Sequence, residues 1–294
     1  MTALESELYR ERFRRVLAHI DANLDRKLSL EQLCGVAAFS KFHFQRQFSA
    51  LFGIGPHAYI QLCRLKRAAY LLAFRLDIPV MEIALTCGYE GPESFARAFR
   101  KCAGQSPSEF RKRPHWSNWN SQHPLLNVLR SDQVNSELRQ KQVEIVEFAA
   151  TKIAVLEHRG DPRKIGNTVR KFIEWRKQQK LSPSVSATFN IVYDDPEQVA
   201  ADEYRLDICA ATDREVGENA CGVVNKIIPA GRCALLRHTG SDDGLGEVVK
   251  YLYSEWLPRS GEALRDFPIY FQRVKFFPDV PESEAITDIF LPLK

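Results

Sequence analysis

The sequence predicts two domains of different class. Residues 1–113 read as an all-α domain carrying two helix-turn-helix units, and residues 143–294 as an α+β domain made of a duplicated β-β-α-β-β-type repeat, with a linker over 114–142. Three observations predict this. The length, 294 residues, suits two domains of roughly 100 to 200 residues each. In the first half Phe44, Arg46, Phe48, Gly53 and Pro56 return 51 residues later as Phe95, Arg97, Phe99, Gly104 and Pro107, and Leu33 and Phe39 return 50 later as Ile83 and Tyr89. In the second half the period changes: Val155-Leu156-Glu157-His158-Arg159-Gly160 returns 80 later as Leu235-Leu236-Arg237-His238-Thr239-Gly240, and Leu206-Asp207-Ile208 returns 81 later as Thr287-Asp288-Ile289.

The amino-terminal elements follow in order. Phe13, Val16, Leu17, Ile20 and Leu24 form the apolar stripe of a first helix. Ser29 with Gln32 three residues on is a capping-box signature that opens a second helix through Leu33 and Val36. A short turn, Ala38-Phe39-Ser40, precedes a third helix from Lys41 to near Gly53, and Pro56 stands at the first position of a long fourth helix running to Phe74. That joining helix, about 17 to 20 residues at 1.5 Å each, is roughly 25 to 30 Å long. The length is close to the roughly 34 Å between successive major-groove faces on one side of a duplex. One chain can thus address two neighbouring groove segments.

The stretch F-S-K-F-H-F-Q-R-Q-F with G-I-G-P, and later I-A-L-T-C-G-Y with S-F-A-R-A-F-R-K-C-A-G-Q-S-P-S-E-F-R, strongly resembles the AraC-family DNA-binding domain over about Glu11 to Arg113. The resemblance implies a transcription factor that places helices beginning near Ser40 and near Pro92 into adjacent major grooves of double-stranded DNA, with RNA polymerase as a further partner. Phe44, Phe48, Phe95 and Phe99 are spaced four apart and read as inward stripes. Lys41, Phe42, Gln45 and Arg46 on the first helix, and Glu93, Ala96, Arg97, Arg100 and Lys101 on the second, are the expected DNA-facing residues. Arg can pair bidentately with guanine, Gln with adenine, Glu can accept from cytosine, and Phe can touch a thymine methyl. Arg100 and Lys101 are assigned to phosphate. Relatives usually carry small polar residues where Gly91 and Pro92 stand, so Pro92 reads as a helix-starting residue.

The charge supports the division. Met1 to Pro114 holds 18 Lys and Arg against 11 Asp and Glu, a net +7, while the remainder is −3, which together give the overall +4. From Pro114 to Gln142 the pattern breaks down into a connector with Trp116, Trp119, His123 and a short apolar stretch from Leu125 to Leu129. Beyond it each repeat reads strand, strand, helix, strand, strand. The helix stripes are Ile165, Val169, Phe172, Ile173 and Leu245, Val248, Val249, Leu252, and Tyr204, Leu206, Ile208, Ala210 alternate as a strand. Trp256 continues the second stripe as core, Gly160 and Gly240 end strands, and Asp194-Asp195-Pro196 is a turn. A cleft where duplicated halves meet is the expected ligand site.

This half resembles the GyrI-like effector-binding domain, which also occurs behind AraC-type domains in Rob-like regulators. The carriers are V-L-E-H-R-G, I-V-Y-D-D-P, L-D-I-C, I-P-A-G, L-Y-S-E-W-L-P and T-D-I-F-L-P-L. Relatives often bind flat or cationic compounds through a buried glutamate in a P-x-x-E-x-Y strand. Here Pro268-Ile269-Tyr270-Phe271-Gln272-Arg273 puts Phe271 at the acidic position and Arg273 at the tyrosine. A phenylalanine cannot offset the desolvation of a cation and a nearby arginine repels one. The expected small-molecule effector is therefore hydrophobic and not strongly cationic, with Tyr193, Tyr270, Phe271 and Arg273 as its pocket residues.

Several classes are set aside. No apolar run approaches the roughly 20 residues of a membrane span, and the charged opening is unlike a signal peptide, so a cytoplasmic protein with no membrane partner is expected. Seven cysteines without a C-x-x-C pair suit reduced thiols. His158 and His238 occupy equivalent repeat positions without the further ligands of a metal site, so neither metal nor cofactor is expected. G-x-S-x-G, H-E-x-x-H and P-C-H-R stretches are missing, so no catalytic residues and no enzyme activity are expected. The alternatives are a small hydrolase or a protein-interaction module behind the DNA-binding domain.

Overall fold

The computed structural model of the chain describes residues 3–116 and 142–294. Two compact units emerge: Met1–Gln133 with Phe277–Ser283, and Val134–Phe276 with Glu284–Lys294. Trp119, His123 and Leu125 to Leu129 lie outside the described residues.

The helical unit contains α1 (Ala3–Ala22), α2 (Leu30–Ala37), α3 (Lys41–Phe52), α4 (Pro56–Phe74), α5 (Val80–Thr86), α6 (Pro92–Ala103) and α7 (Pro107–Lys112). The stripe of α1 is buried at Phe13, Val16, Leu17 and Ile20. The capping box at Ser29 forms: its hydroxyl accepts from the Gln32 amide, and the Ser29 amide donates to Gln32 Oε1 at 2.8 Å. Phe44, Phe48 and Phe52 of α3 pack on Phe13 and on Tyr59 and Ile60 of α4. Phe95 and Phe99 of α6 pack with Leu72, Ile83 and Phe110 around the second half of α4. The joining helix is therefore shared by both apolar cores, which fixes the two helix-turn-helix units on one rod. Arg64 of α4 strengthens the joint, its guanidinium donating to the carbonyls of Leu24 and Arg26 at 2.9 and 2.6 Å beyond the end of α1.

Trp116, assigned to the linker by sequence, stacks on Phe74 at 5.9 Å and meets Phe110 edge-on at 5.2 Å. The segment Phe277–Ser283 also belongs to this unit. Its Glu282 forms a buried 2.7 Å ion pair with Lys66 of α4, Asp279 pairs with Arg75, and Phe277 lies edge-on to Tyr70 at 5.0 Å. Each charge of a buried pair is costly to desolvate, so such a pair holds only with its partner in place.

The second unit is one eight-stranded antiparallel sheet with helices on one face. Its elements are β1 (Glu144–Phe148), β2 (Thr151–Arg159), α8 (Ile165–Gln178), β3 (Thr188–Val192), β4 (Arg205–Ala211), β5 (Val224–Ile228), β6 (Gly231–Thr239), α9 (Leu245–Tyr251), β7 (Ile269–Lys275) and β8 (Ile286–Pro292). After α9 the chain continues as a π-helical turn, Leu252–Trp256, where the Leu257 amide bonds back to the Leu252 carbonyl. Pro258 follows and its ring crowds the carbonyl four residues before it, which accounts for the widened turn.

The strand order β1-β6-β8-β7-β3-β4-β2-β5 reads the same in reverse once each strand is exchanged for its counterpart 80 residues away. The two repeats have swapped their first strands, β1 lying beside β6 and β5 beside β2. At the twofold β3 and β7 hydrogen-bond directly, with Ile191 opposite Tyr270. Helix α8 packs Phe172 and Trp175 against Ala154, Leu206 and Ile208, and α9 packs Val248 against Leu236, Phe271 and Ile289. The other face buries Val155, Phe189, Ile191, Cys209, Tyr270 and Phe290, with no helix of the described residues against it. Curling achieves this. Phe148 of β1 and Phe189 of β3 are four strands apart, about 19 Å on a flat sheet, yet their rings are 6.1 Å apart.

Candidate DNA-reading helices and ligand-facing sheet

Helix α3 begins where the Ser40 hydroxyl caps the His43 amide. With Phe44, Phe48 and Phe52 committed inward, Lys41, Phe42, Gln45 and Arg46 are left exposed. Phe42 is 82% exposed, an unusual cost for a large apolar side chain unless another surface covers it. Lys41 does not point freely outward; it pairs with Glu31 of α2 at 2.9 Å, and the lysine holds that carboxyl below the usual carboxylate range.

Helix α6 starts at Gly91 and Pro92 with no side-chain cap, and proline serves as its first residue. Phe95, Phe99 and Cys102 face the core, so Glu93, Arg97, Arg100 and Lys101 are exposed, with Ala96 half-buried between them. Ala96, Arg97, Arg100, Lys101 and Ser106 line one surface depression. Arg100 is 4.0 Å from Glu109, too loose and too exposed to neutralise it. All nine sequence-assigned DNA-facing residues thus stand on the outer faces or first turns of α3 and α6.

The four assigned pocket residues are distributed differently. Alternation along β7 sends Tyr270 to the helix-free face and Phe271 and Arg273 to the helix face. Phe271 packs among Val248, Leu252 and Leu291, and Arg273 pairs with Asp242 just ahead of α9. Tyr270 is fully buried, stacked on Phe290 at 5.1 Å with its hydroxyl 3.3 Å from Cys233 Sγ, and burial pushes its phenol up. Tyr193, just past β3, shares the face of Tyr270. The structure therefore brings Tyr193 and Tyr270 to one side and Phe271 and Arg273 to the other.

Tyr193 anchors a charged network unnoticed at the level of sequence. Its hydroxyl donates to Asp207 Oδ2 at 2.9 Å. Asp207 is completely buried and also accepts from Lys226 at 2.7 Å and Arg159 at 3.3 Å. Lys226 bonds Glu157 as well, and these two carboxylates raise its ammonium against the opposing effect of burial. Arg159 and Arg205 lie over the Tyr193 ring at 5.5 and 5.4 Å. The counterpart of Asp207 in the second repeat, Asp288, is clasped by Arg237 at 2.6 and 2.7 Å. A signal existed: an aspartate interrupts the apolar run at the same place in both repeats, Leu206-Asp207-Ile208 and Thr287-Asp288-Ile289.

His158 and His238 are also equivalent. Each Nε2 lies within hydrogen-bond distance of a carbonyl in the turn that follows its strand, Asp161 at 3.2 Å and Ser241 at 2.8 Å. They fasten the strand-to-helix turns, and no group of three or more metal-ligating side chains occurs among the described residues. Nor is any helix among them long and apolar enough to cross a membrane.

Comparison with known proteins agrees with these two units. A model of the GyrI-like small molecule binding domain matches residues 141–294, more than half of the chain. The chain belongs to the GyrI-like family. A helix-turn-helix domain model matches residues 33–113, and this amino-terminal part of the GyrI-like protein is AraC-type. Among curated relatives, the "Probable transcriptional regulator YgiV" of Escherichia coli K12 is 38% identical over 152 residues, covering 51% of this chain and 95% of that protein. The "Right origin-binding protein" of the same organism is 36% identical over 113 residues, 38% of either chain. Among solved structures, the EcmrR C-terminal domain covers 52% of this chain and 98% of its own at 18% identity, with a TM-score of 0.43. The GyrI-like protein described here is thus a DNA-binding transcriptional regulator of the AraC type.

Proposed function

We propose that this regulator is a one-component switch: α3 and α6 read two adjacent major-groove segments, and a small molecule held by the GyrI-like unit changes their affinity for DNA. The observation that carries the reading is the complementary use of α3 and α6, each burying its phenylalanines and leaving its polar and basic residues exposed on a shared joining helix. In this reading Arg46 and Arg97 pair with guanine, Gln45 with adenine, and Glu93 with cytosine. Phe42 and Ala96 meet apolar base edges, while Lys41, Arg100 and Lys101 hold phosphate. RNA polymerase recruitment is the step that follows in an activator.

The effector reading extends to chemistry. Asp207 and Asp288, two buried acids of the face that carries Tyr270, already hold Lys226, Arg159 and Arg237. A cationic ligand would have to displace them, which favours a hydrophobic ligand without strong positive charge. Coupling has a covalent route, because β7 runs on directly into Phe277–Ser283, which packs with the helices. An effector shifts such an equilibrium only as far as it binds the two conformations differently.

The test is selection of duplexes from a random pool by the full chain, followed by titration of the selected site at several salt concentrations. Specific binding that weakens steeply with salt is expected. Binding no tighter than to an unrelated duplex would overturn the reading. A library of neutral, anionic and cationic aromatic compounds, screened for a change in that affinity, tests the effector part.

A further inference from the structure

We infer that Arg265 is the anchor of an anion site at one end of the curled, helix-free face of the sheet, fitted to the carboxylate of a small aromatic acid. This rests on the effector reading and names the ligand class it would take.

Arg265 lies in the segment between α9 and β7. Its Nη1 donates to the Ala230 carbonyl, while Nε and Nη2 are buried without any hydrogen-bond partner. Buried donors are nearly always satisfied, so a pair left open on one side chain calls for an explanation. The open pair is also the edge of the guanidinium that clasps a carboxylate with two parallel hydrogen bonds. Four other arginines of this chain use that same edge: Arg75 on Asp279, Arg163 on Asp161, Arg205 on Asp194 and Arg237 on Asp288. At Arg265 no acid among the described residues takes that edge.

The backbone makes room for this group. A Cβ on Gly231 would lie 2.3 Å from Arg265 Nη1, so the guanidinium occupies the place of a side chain at the start of β6. Gly231 stands opposite Phe148 of β1, which puts the guanidinium on the face that carries Phe148, Cys233 and Tyr270. The other repeat has no such arrangement: 80 residues earlier Gly231 corresponds to Thr151 and Arg265 to Val185. The duplication has diverged here in two residues that fit one another.

The surroundings select the rest of the ligand. Phe148 and Phe267 are only partly buried, and both rings pack against Tyr270, at 5.1 and 6.1 Å. They offer aromatic surface beside a charge whose bidentate edge is unused, and an aromatic carboxylate satisfies both. A neutral amide of the same shape leaves the guanidinium unpaired, and an ammonium is repelled by it.

Calorimetric titration of the full-length protein with 1-naphthoate, 1-naphthamide and 1-naphthylmethylammonium tests the site. Naphthoate should bind at least tenfold more tightly than the amide, and Arg265→Gln should abolish that preference while Arg265→Lys keeps part of it. Equal binding of naphthoate and amide by the unaltered protein, or naphthoate affinity unchanged in a folded Arg265→Gln, would overturn the site. The ratio in the unaltered protein decides even if both variants unfold. Naphthoate bound through Arg265 with no change in DNA affinity leaves the site standing and sinks the effector reading. DNA affinity that responds to the amide but not to naphthoate does the reverse.

Discussion

The two helix-turn-helix units make the same turn with different residues. Between α2 and α3 the left-handed position is Ala38, at φ 52°, and between α5 and α6 it is Gly88, at φ 73°. In the first unit an alanine occupies it, its amide tied back to α2 just as the Gly88 amide is tied back to the Leu85 carbonyl. In the second it is excluded, since a Cβ at Gly88 would meet the Leu24 carbonyl at 2.4 Å and the Arg64 guanidinium at 2.6 Å. Arg64 belongs to the joining helix, so the constraint on the second turn comes from the device that fixes both units to one rod. Helices α3 and α6 differ as well. Helix α3 is capped by Ser40, presents the exposed Phe42 and ties Lys41 to Glu31, whereas α6 has no side-chain cap and presents Arg97, Arg100 and Lys101 together. Similar folds thus give one helix that exposes a phenylalanine beside Gln45 and Arg46 and one that gathers three basic residues.

The comparison can be broken most forcefully at the turns. Gly88→Ala should lower thermal stability by more than about 2 kcal/mol, since left-handed strain and a backbone clash add; a melting curve like that of the unaltered protein would remove the distinction. Arg97→Ala should weaken specific DNA binding by about 1 to 3 kcal/mol and relax preference at one base pair without affecting folding, as read by affinities on single-substitution duplexes. Ser40→Ala should cost about 1 kcal/mol in chemical denaturation, because the cap of α3 is lost. Ala38→Gly should instead stabilise by about 0.5 kcal/mol, relief of strain being partly offset by a freer unfolded chain. Smallest of all, Lys101→Ala should lower the slope of log affinity against log salt by about 1 and leave sequence preference unchanged.

Much of the helical unit was legible because its signals are local. The Ser29 capping box, Pro56 and Pro92 at helix starts, and the phenylalanines four apart each specify an element within a few residues. Exposure on α3 and α6 follows once those phenylalanines face inward. The sheet unit was legible as a duplication but not in its pairing. Nothing within one repeat indicates that β1 and β5 change places, since strand partners are chosen by long-range packing. The pocket assignment met the same limit: adjacent residues of a strand face opposite ways, so Tyr270 and Phe271 could not both line one face. Asp207 and Asp288 were visible as matched acids in apolar strands, whereas Arg265 carries no local signal, because only the fold brings it over Gly231.

The central claim is that α3 and α6 act on separate, neighbouring groove segments. Methylation interference on a selected duplex measures this directly, comparing the unaltered chain with Arg46→Ala and Arg97→Ala. Two patches of interference about one helical turn apart are predicted, with each variant losing contacts in one patch only. A single patch, or the loss of both patches in either variant, would contradict the account.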